Sequence, residues 1–305
     1  MLLVLRRLAQ AFLILLGVAA ITFVLLYALP ADPARMIAGR SATAQTVANI
    51  RHELGLDQPL LVQFWHYLTN LLSGNLGRSY AQKTDVWTLI VARLPATLTL
   101  MLAGIAVEVI LGLTLGTIAA IRRGGFVDRL VMMASFVGVS APQFVVALLL
   151  LYVFAVTLGW FPMSGYGTLA HVALPATTLG VLGAGWYARM VRSAMIDVLN
   201  QDYVRTARAK GLSSRRIIFR HALPNAILPI IAMIGIDIGQ FMGGVVVVEA
   251  VYGWPGIGQL AWQAIQQVDI PIIMGVTLTS ALAIVIGNLL ADLIAPVIDP
   301  RIRTR

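Results

Sequence analysis

The sequence predicts an all-α, polytopic membrane protein with six transmembrane helices, and three observations carry that prediction. The 305 residues are 59% hydrophobic and only 11% charged, with a mean hydropathy of +0.87. An ordinary soluble domain carries about 25% charged residues, so too few polar side chains remain here to cover a water-exposed globule. Six apolar stretches each approach or exceed the roughly 20 helical residues that cross a bilayer core. The basic residues, finally, collect in alternate connecting segments. The chain has no cysteine, which excludes a disulfide framework, a thiolate zinc site and a cysteine nucleophile.

The first span, Leu8 to Leu29, is uncharged and follows Arg6 and Arg7. It is longer than a signal-peptide core and lacks a small-residue cleavage site, so it reads as a retained helix. A large segment, residues 31–93, follows. Its helix-like stretches, Thr43–Leu54 and Leu60–Leu72, are separated by Gly55 and Pro59 and closed by Gly74. Trp65, Tyr67 and Leu68 suit a layer at the membrane interface. This segment either steadies the bundle or receives a partner. The second span is Ala96 to Ile121, with Glu108 as its one charge. The third, Leu130 to Leu158, is uncharged, with a kink expected at Pro142. The fourth is Val172 to Met190. The fifth, Ala226 to Ala250, holds Asp237 and Glu249, and the sixth, Pro271 to Pro296, holds Asp292.

Six spans put both termini on one side. With the N-terminus in the cytoplasm, sixteen of the 22 lysines and arginines fall inside and six outside, a clear positive-inside bias. That bias also accounts for the net charge of +9. No basic recognition module with interleaved aromatics is present, so nucleic acid is not an expected partner. The chain divides into residues 1–93 (first span and periplasmic segment), 94–296 (five further helices) and a cytoplasmic tail, 297–305.

The inside segment 189–224 is too long to be a simple connector. Met195, Val198, Leu199 and Tyr203 form one apolar stripe at helical spacing. Gly211 sits where a helix stops on a left-handed residue. Ser213 or Ser214 can cap a second helix, Arg215 to Leu223, and Pro224 marks entry to the fifth span. The pattern is a projecting helix–break–helix, either a docking surface or a loop packed on its own bundle.

Charges within spans default to functional roles. Glu108 shares a helix face with Gly104, Gly112 and Gly116, a small-residue face suited to close helix contact. It is either a polar staple or part of a translocation path. Gly235, Gly239 and Gly243 form a second such stripe, while Asp237, Gln240 and Gly244 lie on another face that could line a polar cavity. Asp237 is open between lining that path and forming a structural pair. Glu249 and Asp292, near span ends, read as structural.

The inside loop resembles the EAA loop of ABC-importer permeases, E-A-A, three residues, Gly, nine residues, I-x-L-P. With Gly211 on the family glycine, Arg205, Thr206 and Ala207 occupy the E-A-A positions and His221 to Pro224 the last four. Arg205, Thr206 and His221 depart from the general pattern but match the dipeptide, oligopeptide and nickel branch. "GLDQPL" (55–60), "LPATL" (94–98), "WPGIG" (254–258) and "DPRIR" (299–303) agree. The similarity, to the first of the two permease subunits of such systems, spans nearly the whole chain. It implies the type I ABC-importer permease fold, with residues 94–296 as its transmembrane domain, in the inner membrane. It implies a second permease subunit, two ATP-binding subunits and an external solute-binding protein as partners. The ATPase contact would fall on Asp202, Tyr203, Arg205, Thr206, Ala207, Ala209, Gly211 and Leu212. Independently of the resemblance, the break in the loop makes Gly211 the expected bend and Leu223 and Pro224 the expected junction to the fifth span. The implied cargo is a di- or oligopeptide, with nickel or another small solute as the alternative.

The chain carries no nucleotide site of its own. A phosphate-binding loop needs G-x-x-x-x-G-K followed by Ser or Thr, and neither lysine, Lys83 or Lys210, has that context. ATP would be bound by partner subunits, no cofactor is expected, and the chain is not expected to be an enzyme. Its four histidines, His52, His66, His171 and His221, are scattered, which argues against an intramembrane metalloprotease or a histidine-based triad. A proton-coupled carrier using Glu108 and Asp237 is the more distant alternative, and the internal repeat frequent in such carriers is absent.

Overall fold

The computed structural model describes the backbone of residues 2–28, 33–38, 42–53, 55–243 and 245–298, and side chains chiefly within 9–25, 42–52, 55–243 and 245–290. Gly244, the side chain of Asp292 and the segment 299–305 lie outside the described residues. The chain is helical, with α1 (Leu2–Ala28), α2 (Pro33–Ala38), α3 (Ala44–Glu53), α4 (Leu60–Leu72), α5 (Val86–Ile121), α6 (Phe126–Ser140) and α7 (Gln143–Leu150). There follow α8 (Leu169–Leu199), α9 (Asp202–Ala209), α10 (Ser214–Arg216), α11 (Leu223–Ala226), α12 (Leu228–Met242), α13 (Val246–Val251), α14 (Ile257–Gln267) and α15 (Ile270–Ile298). π-Helical stretches extend α7 over Leu151–Thr157 and join α10 to α11 over Ile217–Ala222.

Among the described residues, α5, α8 and α15 are each long and apolar enough to cross a membrane, and two bent pairs bring the number to five. With α1, whose backbone runs 27 residues, the spans number six. Two depart from expectation. The third does not kink at Pro142 but turns through 105° between α6 and the α7 segment. Proline disfavours the α region at the residue before it, and both Ala141 (ψ 133°) and Pro142 (ψ 132°) are extended, so the hydrogen-bond ladder is broken rather than bent. The fifth is not one helix, since α12 ends at Met242 and α13 begins at Val246.

The α5–α8 pair is the most extensive contact in the molecule. In lipid, apolar surface gains little by meeting another helix, so association depends on close packing and internal polar bonds. Here the backbones approach where side chains are missing. A Cβ on Gly112 would fall inside the Tyr187 side chain, and one on Gly180 inside Val107. A Cβ on Gly116 would lie 2.6 Å from the Ala188 carbonyl and 2.6 Å from Val191 Cβ. On another face of α8, Gly185 admits the Ser135 carbonyl of α6.

The end of the bundle opposite the arginine-rich loop is closed by an interlock. Trp254, fully buried, donates its indole N–H to the Ala96 carbonyl (3.0 Å), and the Ile257 amide donates to Thr97 Oγ1 (2.8 Å). Tyr252 donates to the Ala147 carbonyl (3.0 Å). Glu249, fully buried, accepts from the Gln259 amide (2.7 Å) and so caps the first turn of α14. The external segment is tied in at Asp269, whose carboxylate accepts from Ser79 Oγ (2.5 Å) and from the amides of Tyr80 (3.2 Å) and Ala81 (3.0 Å). Tyr67 stacks on Phe23 of α1, while Trp65 is exposed.

The glycine seam gives a stability prediction. Gly116→Ala should destabilise the detergent-solubilised protein by about 1–3 kcal/mol, since a methyl is forced against backbone. Gly17→Ala, where no atom lies within 4 Å of the new Cβ, should leave the melting temperature unchanged. Equal melting temperatures for the two variants would show that the α5–α8 spacing relaxes freely.

Candidate functional site

Two arrangements carry the chemistry. The first is the projecting loop at the basic end. The helix of the fourth span does not stop at Met190, for α8 runs on to Leu199 as one 31-residue helix. The apolar stripe expected to continue to Tyr203 is interrupted at Asn200, where α8 ends, and α9 starts at Asp202 after the extended Gln201. α9 then closes as the glycine predicts. The Leu212 amide donates to the Ala207 carbonyl (3.2 Å) and the Gly211 amide to that of Arg208 (2.9 Å), with Gly211 at φ +76°. This is a Schellman motif. Ser213 Oγ accepts from the Arg216 amide (3.4 Å) and opens the second helix.

That second helix is wound one residue wide over Ile217–Ala222. The cause sits at Pro224, which has no N–H to return to the preceding turn. The Asn225 side-chain amide donates to the neighbouring His221 carbonyl instead (2.7 Å). The next helix, α12, departs at 49°. The break itself falls at Ile227, just beyond Leu223 and Pro224, which lie within α11.

The loop has an inside and an outside. Val204 and Ala207 face inward against Ile217, with Leu199 and Leu212 alongside. Asp202, Tyr203, Arg205, Thr206 and Ala209 face outward, as does Gly211 beyond them. Thus Ala207 and Leu212 belong to the loop's own small core. Val191 and Met195 of α8, both fully buried, pack with Ala222, Ala226 and Ile230, so α8 and the second loop helix share one core.

An ion pair braces the same end, and sequence reading missed it. Arg192 donates from Nε to Asp128 Oδ1 (2.6 Å) and from Nη2 to Oδ2 (2.7 Å), and the Gly124 amide adds a third bond (2.8 Å). Asp128 stands in the turn ahead of the third span. The hydrogen-bonded guanidinium holds its carboxyl well below the usual range, at about 2. Separation in sequence hid the pair, since its members are 64 positions apart.

The second arrangement lies within the membrane. Glu108 is buried between α5 and α8, its carboxyl pressed into the gap left by Gly183. Tyr187 of α8, also buried, donates its hydroxyl to Asp237 Oδ2 of α12. Glu108 and Asp237 meet side chain to side chain. One cluster therefore joins three helices. Asp237 keeps a partly open edge and Gln240, one turn on, is exposed, so the structure brings Glu108 and Asp237 together and leaves Gln240 apart from them. Tyr187 went unnoticed because tyrosine in an apolar helix carries no distinctive spacing.

Since the Asp128 carboxyl is held near 2, the stability it contributes is complete above the ordinary carboxylate pKa and is lost only as pH falls through that depressed value. Asp128→Asn should therefore lower the melting temperature by a similar amount from about pH 5 to about pH 9, equivalent to about 2 kcal/mol for a charged hydrogen bond. A difference that appears only at one end of that range would contradict the assignment.

Comparison with known proteins places these features. Residues 112–304 match the family model described as binding-protein-dependent transport system inner membrane component, and residues 1–101 match the model of its N-terminal region. The chain is 42% identical over 300 residues to the glutathione transport system permease protein GsiC of Salmonella typhimurium, covering 98% of both chains. It is 41% identical over 298 residues to the GsiC protein of Pectobacterium atrosepticum, covering 98% of this chain and 97% of that one. Among solved structures, an inward-facing form of the MetNI methionine ABC transporter superposes with a TM-score of 0.54 at 18% identity, covering 69% of this chain and 96% of that chain. At that identity the likeness speaks for the fold.

Proposed function

This chain belongs to the inner membrane components of binding-protein-dependent transport systems, the permeases of ABC importers, and we propose that it carries small peptides of the glutathione class as the first of two permease halves. ATP hydrolysis lies on separate subunits. The observation that carries the reading is the near-full-length match to glutathione permeases. The complete machine would comprise a second related permease, two ATP-binding subunits and an external solute-binding protein, with both termini of this chain in the cytoplasm. Nickel or another small solute is the alternative cargo.

The loop does the coupling. The outward face of α9 (Asp202, Tyr203, Arg205, Thr206 and Ala209, with Gly211 at its end) seats in a groove of the ATP-binding subunit. Ala207 and Leu212 keep that face rigid from behind. ATP-driven closure of the ATPases displaces α9, and the shared core of α8 with residues 217–230 passes the displacement to the fourth and fifth spans as a rigid-body movement. The peptide path runs past α12, along Gln240 and the open edge of Asp237. Glu108 and Tyr187 hold Asp237 from behind and act as positioning residues.

Reconstituted vesicles holding all the subunits test the reading, with labelled glutathione, other tripeptides and nickel offered in turn. Peptide uptake dependent on ATP is the expected result, and ATP-dependent uptake of nickel alone would overturn the cargo assignment. Gly211→Val should cut uptake about tenfold or more, because a branched side chain in a left-handed conformation costs about 1–2 kcal/mol. Insertion and copy number should be unchanged. Normal uptake by that variant would remove Gly211 from the coupling role. Asp237→Asn keeps an acceptor for Tyr187 while deleting the charge, so it should lower uptake and leave assembly intact. Unchanged uptake would return Asp237 to a structural role.

A further inference from the structure

A cavity of about 270 Å³ opens between the basic ends of α5 and α8 and the inner flank of the projecting loop. Its depth relative to the membrane is set by α5. Ala120 and Ile121, the last two residues of that helix, line it, and the chain turns basic at once with Arg122 and Arg123. Two guanidinium groups from separate elements line the cavity, Arg123 beyond α5 and Arg208 on α9, with the polar side chains of Asn200 and Ser214. The rest of the wall is aliphatic and includes Ile218. The volume is roughly nine times the ~30 Å³ share of a water molecule, room for a phosphate and its glycerol.

Neither arginine is in an ion pair with a carboxylate among the described residues. Asp128 is taken up by Arg192, and Asp202 faces Arg205 on the outer side of the loop. Two cations with no direct ion pair among the described residues, over an aliphatic wall at the level where a span leaves the membrane, match an anionic headgroup with its glycerol and acyl stems. Basic pockets between helices on the cytoplasmic side take such headgroups. The aliphatic part of the wall favours an acyl chain over a polar protein surface, since Ile196 and Leu199 of α8 and Ile217 and Ile218 of the loop form it.

We propose that this cavity binds the headgroup of an anionic phospholipid of the cytoplasmic leaflet, its phosphate between Arg123 and Arg208 and its glycerol against Ile121 and Ile218. The lipid then ties the end of α5 to the flank of α9 and steadies the loop. This goes beyond the transport reading, and the test reads lipid retention without substrate or turnover, so failure of either is distinguishable.

The test uses the full-length chain, purified with its partner subunits and placed in nanodiscs of phosphatidylcholine alone or mixed with phosphatidylglycerol. Native mass spectrometry counts the phosphatidylglycerol retained after release from the disc. Wild type should retain it, and Arg123→Gln or Arg208→Gln should each weaken retention about fivefold, the weight of one cation at an anionic leaflet. Arg129→Gln, a basic residue of the same end that does not line the cavity, should retain it as wild type does. Equal retention by the double variant Arg123→Gln/Arg208→Gln and wild type would overturn the proposal. Equal losses in the Arg129→Gln control would overturn it too, by showing diffuse surface attraction. In a third arm inorganic phosphate is added, and displacement of phosphatidylglycerol by free phosphate at comparable concentration would show an ion site rather than a lipid site.

Discussion

The structure depends on how closely α5 can approach α8. A bilayer offers two helices little reward for hiding apolar surface from a solvent that is itself apolar, so the contact must be made by dispersion at short range. Glycines on both helices allow it. With backbones this near, the Cβ of Tyr187 takes the space over Gly112, and the carboxyl of Glu108 occupies the gap at Gly183. The polar cluster that reaches α12 through Asp237 is thus a product of the seam. A wider spacing would separate the groups and leave a carboxyl facing hydrocarbon, a costly arrangement.

The same economy governs the opposite end. The segments 94–98 and 254–258, far apart in the chain, interlock through Trp254 on Ala96 and Ile257 on Thr97. The Ile257 amide is available for this because it opens α14, where first-turn N–H groups have no partner within the helix. Glu249 completes the arrangement by supplying an acceptor to the first turn of α14, whose amides have no partner within the helix. Beyond it, Asp269 gathers three donors from the external segment, with Leu76 packed alongside against the cluster that holds Ile272 and Val276 of the last span.

Much of this was legible in the residues. Hydropathy located the spans because backbone polar groups in lipid must be satisfied within a helix, which forces long apolar runs. Gly211 announced its left-handed turn, and the four-residue spacing around Glu108 announced the face it shares. What escaped were features decided by pairing across distance. Asp128 with Arg192, Ser79 with Asp269 and Tyr187 with Asp237 leave no local trace, since each partner alone is an ordinary residue. Pro142 was read as a kink because a proline inside a helix is often tolerated, but the extended Ala141 before it turned the segment by 105°. Ala207 matched the motif by position, yet helix geometry turned it toward Ile217.

One more property follows from the uninterrupted course of α8. The helix is a rod about 46 Å long at ~1.5 Å per residue, from Leu169 to Leu199. It is clasped along much of that length, at Thr178 by Tyr252, at Gly180 by Val107, at Gly185 by Ser135 and at Arg192 by Asp128. A rod held at so many points has no freedom to slide by itself, so a push on its Leu199 tip is shared at once with α5 and α6.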